Sequence, residues 1–343
     1  MPFINDRLQE SLMMSAHDNR SMPQRAYRFL FDPKKVMALL RSRIVGQPAM
    51  MSAVDDMLHL VKAELTSPHR PLAVMLFMGP TGVGKTETVR VLADAIYGDP
   101  EAFCRIDMNT LSQEHYAAAL SGAPPGYVGS KEGHTLFQRS VIEGSFGKPG
   151  IVLLDELEKA SRDVVRTVLN ILDNGRIQLA GGQSELDFRN SLIFMTSNLG
   201  SAQIAQSNVG GFFNSIKQRF FRPSKEQLYK QALHKHFDPE FLNRIDRTVV
   251  FDEIPPSELD QLLAIEFDKL RYQLKRHQLG VELDTSAFDY IKHHYEQQFG
   301  ARDIARKLRH YIQVPLARAI LEHKDCCHFV IVADKEKISV EAR

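Results

Sequence analysis

Residues 79–86 read Gly79-Pro80-Thr81-Gly82-Val83-Gly84-Lys85-Thr86, a complete G-x-x-x-x-G-K-[ST] string, and they constrain the fold more than any other stretch. The apolar run Val74-Met75-Leu76-Phe77-Met78 precedes the string and has the length of a buried strand. From Thr86 to Tyr97, Val89, Val91, Leu92, Ala95 and Ile96 recur at helical spacing. A glycine-rich turn between strand and helix turns successive backbone N–H groups toward phosphates, and the helix N-terminus adds positive potential. In such a loop Lys85 reaches the β- and γ-phosphates and Thr86 ligates Mg²⁺. The expectation is an ATP-type nucleotide with Mg²⁺, bound by Gly79, Pro80, Thr81, Gly82, Val83, Gly84, Lys85 and Thr86.

The 343 residues leave room for about two domains, and 43% apolar content supplies a core. A formal net charge of +1 carries no basic surplus of the kind that marks a nucleic-acid binder, so no nucleic-acid partner is expected. Cys104, Cys326 and Cys327 form no disulfide framework, which fits reduced thiols and a cytoplasmic setting. The start, Met1 to Arg7, lacks an apolar leader, and no stretch reaches membrane-spanning length, so no membrane association is expected.

Residues 1–33 are polar and punctuated, and read as an arm. Asp32-Pro33 has the chemistry of a helix start, with a second amphipathic helix from Pro48 to about Leu65. From there, apolar runs alternate with helices: Val74–Met78, Phe103–Met108, Ile151–Asp155, Leu192–Ser197 and Thr248–Asp252. Runs apolar throughout are strands covered on both faces, so the fold class is α/β, a P-loop parallel sheet with helices on both sides. Past Pro255-Pro256 three helical stretches (257–279, 286–298, 301–323) and two strands (328–333, 338–342) make a smaller, mainly helical domain. The expected division is an arm at 1–33, a large α/β domain at 34–255 and a small domain at 256–343.

Ile151-Val152-Leu153-Leu154-Asp155-Glu156 is a buried strand ending in two carboxylates, at the end where an open α/β sheet binds ligand. Asp155 can hold Mg²⁺ and Glu156 can deprotonate an attacking water. Leu192–Asn198 is another such strand, and Asn198 can hold that water, although an Asn opening a turn reads the same way. In Gly122–Gly129, prolines stiffen one side and glycines free the other, leaving Tyr127 on a solvent-reaching tip. An exposed aromatic can grip a polypeptide of any sequence; a tyrosine folded back into a core is the alternative.

These motifs, with Leu157-Glu158-Lys159-Ala160, Met195–Ser201, Arg105–Met108 and Asp187–Asn190, resemble the AAA+ ATPases of the Clp family. The similarity is to the second ATPase module of ClpB, ClpA and ClpC, and runs from about Leu39 to the C-terminus. It implies that Ile44 and Val45 contact the adenine. It makes Arg244, in Phe241–Asp246, an arginine finger offered to the neighbouring subunit's γ-phosphate. It places Arg302, in Gly300-Ala301-Arg302, over the phosphates of its own subunit, and makes Gly126, Tyr127, Val128 and Gly129 a pore loop. The set of catalytic residues so implied is Glu156, Asn198, Arg244 and Arg302. Tyr116, Ala119, the segment 144–149 and an extra residue near Leu179–Gln183 depart from the family pattern, and the family's N-terminal, first ATPase and middle domains have no counterpart here.

The expected function is that of a ring-forming, ATP-dependent unfoldase, a homo-oligomer of hexameric type acting on unfolded polypeptides. The alternatives are a regulatory ATPase subunit of a separate ClpP-like peptidase, docked through Val209–Phe213, and a non-threading assembly switch.

Overall fold

The computed structural model describes residues 27–112, 137–179, 185–201, 204, 224–296, 299–334 and 337–343. Helices α1 (Pro33–Arg43) and α2 (Pro48–Lys62) open the fold. Asp32 caps α1, its side chain accepting from the N–H of Lys34, and Pro33 occupies the first turn, as the sequence chemistry predicts. Strands β1 (Ala73–Met78), β2 (Cys104–Asp107) and β3 (Gly150–Asp155) follow, with α3 (Lys85–Tyr97) after β1 and the short α4 (Arg139–Glu143) before β3. Next come α5 (Arg162–Asn174), the hairpin β4 (Arg176–Gln178) and β5 (Glu185–Asp187), β6 (Ser191–Ser197), α6 (Lys225–His236), α7 (Pro239–Leu242) and β7 (Arg247–Val250).

Five of these strands form one parallel sheet in the order β2-β3-β6-β1-β7. The order explains the composition of each strand. Central β1, β3 and β6 are buried at every position. Their side chains alternate between two cores, Met75, Phe77, Leu153 and Phe194 on one face and Val74, Leu76, Leu154 and Met195 on the other. On the first face Phe77 packs between Phe194 and Phe251, with ring centroids 5.5 and 5.0 Å away. Strand β2 lies at an edge and alternates instead: Cys104 and Ile106 point inward while Arg105 and Asp107 are exposed.

Residues 27–32, read from the sequence as the end of a polar arm, are anchored to the fold by two buried side chains. Phe29 and Phe31 are buried in the first core, where each contributes about 1.5–3 kcal/mol. The Leu30 N–H donates to Gly147 O at 2.9 Å, and Arg28 Nε to Phe146 O at 2.9 Å. The departure at 144–149 is therefore the surface on which this segment lies. Two isolated phenylalanines have no periodicity, so polarity alone misreads the segment.

The C-terminal part contains α8 (Leu259–Lys275), β8 (Gly280–Leu283), α9 (Thr285–His293), α10 (Ala301–Lys307), α11 (Val314–Glu322), β9 (His328–Ala333) and β10 (Ile338–Ala342). Its sheet has the order β10-β9-β8, with β8 parallel to β9, a strand the sequence reading omits. Leu263, Ile291, Ile304, Ile312 and Phe329 centre its core. The single helix expected over 301–323 is interrupted by a π turn at Leu308–Gln313. That turn precedes Pro315, which lacks an N–H to continue the regular ladder.

Candidate active site

A cavity of about 400 Å³ opens at the C-terminal ends of the parallel strands, where α3 begins. Gly79, Gly82 and Gly84 all have positive φ, and Gly84 caps α3. Lys85 is buried; its Nζ donates to Gly79 O, to Pro80 O at 2.7 Å and to Asn198 Oδ1 at 2.8 Å. Burial lowers its pKa to about 8, against the opposing pull of Glu158 and Asp155.

The two predicted carboxylates sit side by side but are held differently. Both oxygens of Asp155 are engaged: Oδ2 accepts from Arg105 Nη2 at 2.6 Å and Nε at 3.1 Å, and Oδ1 from the Thr196 hydroxyl at 2.5 Å. Thr86 Oγ1 lies 3.4 Å from the same Oδ1. Glu156 lines the cavity in the left-handed region, φ 57° and ψ 51°, which only a few per cent of non-glycine residues adopt. Its N–H donates to Thr196 Oγ1 at 3.0 Å, which anchors that conformation.

Thr196 is thus a single hydroxyl that donates to one carboxylate residue and accepts from the other. Sequence reading passes over it because it sits within an otherwise apolar strand. Thr196→Val keeps the shape and removes both bonds, leaving the part-buried Glu156 N–H without this partner at a cost of about 1 kcal/mol. ATP turnover in Thr196→Val is expected to fall about tenfold, with nucleotide affinity little changed and Thr196→Ser close to wild type; parallel turnover assays and fluorescent-nucleotide titrations check this.

Asn198 lines the cavity directly beyond β6. The other end of the cavity is apolar: Ile44 and Val45, both buried, meet Val83, Ile254, Leu262 and Ala305. The buried Gln47 locks this wall. Its Nε2 donates to Asp252 O at 2.9 Å, and its Oε1 accepts the Asp252 N–H at 3.0 Å. Ile254, Leu262 and Ala305 are absent from the sequence-level site, since nothing local marks an apolar residue as ligand-facing.

Arg302 reaches the cavity from α10. That helix is fastened by the buried Asp303, which accepts from Lys307 Nζ at 2.6 Å and from the Glu296 N–H at 2.8 Å. The small domain meets the phosphate loop and the first turn of α3 at one further place each. The Ala301 N–H donates to Gly82 O at 2.8 Å, and Lys269 pairs with Glu87 at 3.1 Å.

Arg244 is not among the residues that line the cavity. It forms an ion pair with Asp173 on α5, while its carbonyl accepts from Arg70 Nη2 at 2.9 Å. The stretches Gly126–Gly129 and Val209–Phe213 lie outside the described residues. No helix among those described is long and apolar enough to cross a membrane.

Residues 70–248 match the family described as AAA domain (Cdc48 subfamily), and residues 255–330 match the C-terminal, D2-small domain of ClpB protein. An ATP-dependent protease ATP-binding subunit-like protein AmiB from Pseudomonas aeruginosa is 43% identical, over 97% of this chain and 92% of its own length. Chaperone protein ClpB of Nitratidesulfovibrio vulgaris is 39% identical over 82% of this chain, which spans only 31% of that protein. Among solved structures, a closed-state cryo-EM reconstruction of Hsp104 with ATPγS and FITC casein is similar at a TM-score of 0.76 and 27% identity, covering 90% of this chain and 51% of that one.

Proposed function

The chain belongs to the Clp family of AAA+ ATPases, as a counterpart of their second ATPase module, and from this we propose that it threads polypeptides through a ring of identical subunits, driven by ATP hydrolysis. The observation that carries the reading is an asymmetry. Lys85, Asp155, Glu156, Asn198 and Arg302 converge on one cavity, whereas Arg244 stands outside it. Arg43, Arg90 and Arg105 also line the cavity, so the reading turns on Arg244 in particular: the guanidinium that the family resemblance offers to a γ-phosphate does not reach the cavity of its own chain and is left to serve a neighbour's.

In this reading the loop amides and Lys85 hold the β- and γ-phosphates, and Ile44 and Val45 hold the adenine. Asn198 orients a water in line with the γ-phosphorus, and the carboxylate of Glu156 takes its proton as the new P–O bond forms and the bond from the γ-phosphorus to the β–γ bridging oxygen breaks, leaving ADP and phosphate. Arg302 and the neighbour's Arg244 neutralise charge on the transferred phosphoryl oxygens. The Thr86 hydroxyl and the Asp155 carboxylate are adjacent hard oxygen donors of the kind Mg²⁺ takes, and would hold it. When bound, Mg²⁺ neutralises β- and γ-phosphate oxygens. The ties from Gly82 and Glu87 to the small domain carry the change at the phosphates to the lid, and a pore loop at Gly126–Gly129 passes it to the substrate through Tyr127.

Glu156→Gln protein, which binds ATP without turning it over, is expected to co-elute with fluorescent casein as a ring in size-exclusion chromatography when ATP is present. Tyr127→Ala in the same background is expected to keep the ring and lose the casein. A ring indifferent to casein overturns general threading in favour of an assembly switch. The protease-subunit-like name of the Pseudomonas aeruginosa relative favours a second reading, in which the ring feeds a separate peptidase. Deletion of Val209–Phe213 then abolishes degradation and spares ATP turnover.

A further inference from the structure

Asn198 is the first residue past β6, where the strand ladder no longer supplies a partner for its N–H. That N–H donates to Glu158 Oε1 at 3.1 Å. Glu158 belongs to the 3₁₀ turn Leu157–Lys159, which follows β3 and begins next to Glu156. On the far side, the Asn198 side chain accepts from Lys85. One continuous chain of bonds therefore runs from Glu158 through Asn198 to Lys85, joining the ends of three neighbouring strands, β3, β6 and β1. Glu158 Oε2 is buried and has no hydrogen-bond partner among the described residues. A carboxylate in that condition is poorly explained by stability alone, because its second oxygen has given up water for nothing in return.

We infer that Glu158 is a positioning residue for hydrolysis: it fixes the backbone at Asn198, and so aims the Asn198 amide at the attacking water. Glu158 is not among the residues lining the cavity, so it acts through Asn198 and not on the nucleotide. The same charge opposes the effect of burial on Lys85 more strongly than Asp155 does. Backbone anchoring from behind suits this task, since a small misplacement of a water-holding group lowers turnover far more than it lowers binding. The inference rests on the reading of Asn198 as the water-holding residue.

The experiment is a double-mutant cycle on the assembled full-length protein, with Glu158→Ala, Asn198→Ala and the pair. Steady-state turnover and the Kd for a fluorescent ATP analogue are both measured. Glu158→Ala is expected to lower kcat about tenfold and to leave Kd within about twofold. The double variant is expected to turn over no more slowly than Asn198→Ala alone, because both changes remove the same function. Glu158→Gln, which keeps an acceptor of the right reach, is expected to recover kcat to within about threefold of wild type. It also reports on the inference if the alanine variant fails to fold. Losses that multiply in the double variant overturn the inference, as does a Glu158→Ala defect confined to Kd. Full turnover in Asn198→Ala instead overturns the role given to Asn198, a failure distinct from an impaired Asn198→Ala beside an unimpaired Glu158→Ala.

Discussion

Arg244→Ala is expected to abolish ATP turnover while ATP binding survives, and mixing it with the equally inactive Glu156→Gln is expected to restore turnover. Within one chain, Arg244 lies outside the nucleotide cavity and is paired with Asp173. Removing it leaves the phosphate loop, both carboxylates and Arg302 in place, so affinity has little reason to change. Turnover loses the charge that an arginine finger supplies, about 10³–10⁵ in rate. In a mixed ring, an Arg244→Ala subunit has an intact site and a Glu156→Gln subunit an intact finger, so a site between the two is complete. If mixing the variants restores nothing although size-exclusion chromatography shows mixed rings, the finger does not act between subunits. On this proposal the ion pair with Asp173 has to open for the guanidinium to be offered, so assembly is expected to compete with it.

Gly300→Ala has the second large effect, on coupling between the lid and the phosphate loop. Gly300 has φ 55° and ψ −141°, a region essentially closed to other residues. A Cβ there would meet Gly82 O at 2.5 Å and Gly82 C at 2.9 Å. From the other side, a Cβ on Gly82 would meet Phe299 O at 2.1 Å. The two glycines are back to back, and their contact is closed by the bond from the Ala301 N–H to Gly82 O. Substituting either one costs about 1–3 kcal/mol in backbone strain alone. It also drives apart the loop that binds phosphate and the helix that carries Arg302. ATP affinity and turnover are each expected to fall more than tenfold in Gly300→Ala, with far-UV circular dichroism unchanged. Gly98→Ala is the control. That glycine also has positive φ, but nothing lies within 4 Å of a Cβ placed there, so its effect is confined to a little strain at the end of α3. Equal effects from the two variants would mean that backbone strain, and not the loop–lid contact, is what matters.

The elements that build the catalytic cavity were legible because their signals are local. A phosphate loop is a property of eight consecutive residues, and Gly79–Thr86 carry all of them. Strands covered on both faces must be apolar throughout, so β1, β3 and β6 announced a parallel sheet before any pairing was known. Acidic and amide residues at the ends of such runs pointed to Asp155, Glu156 and Asn198, while Arg244 and Arg302 needed the family resemblance, since an arginine alone has no signature. Strand β8 escaped because four residues, of which only Val281 is buried, do not set up a period, and residues 27–32 escaped because two phenylalanines do not make a pattern.

What the sequence determined by itself was therefore the class of fold, the phosphate loop and the strand ends that face it, all encoded within a few neighbouring residues. Only the tertiary structure decided which strand ends are neighbours. The order β2-β3-β6-β1-β7 brings Arg105 against Asp155, sets Thr196 between Asp155 and Glu156, and puts Glu158 behind Asn198. It was also the tertiary structure that laid Gly300 against Gly82 and turned Arg244 away from its own cavity. These contacts join residues tens to hundreds of positions apart, and they follow from the packing of whole faces, where many weak contacts sum to one arrangement and no single stretch of chain records the result.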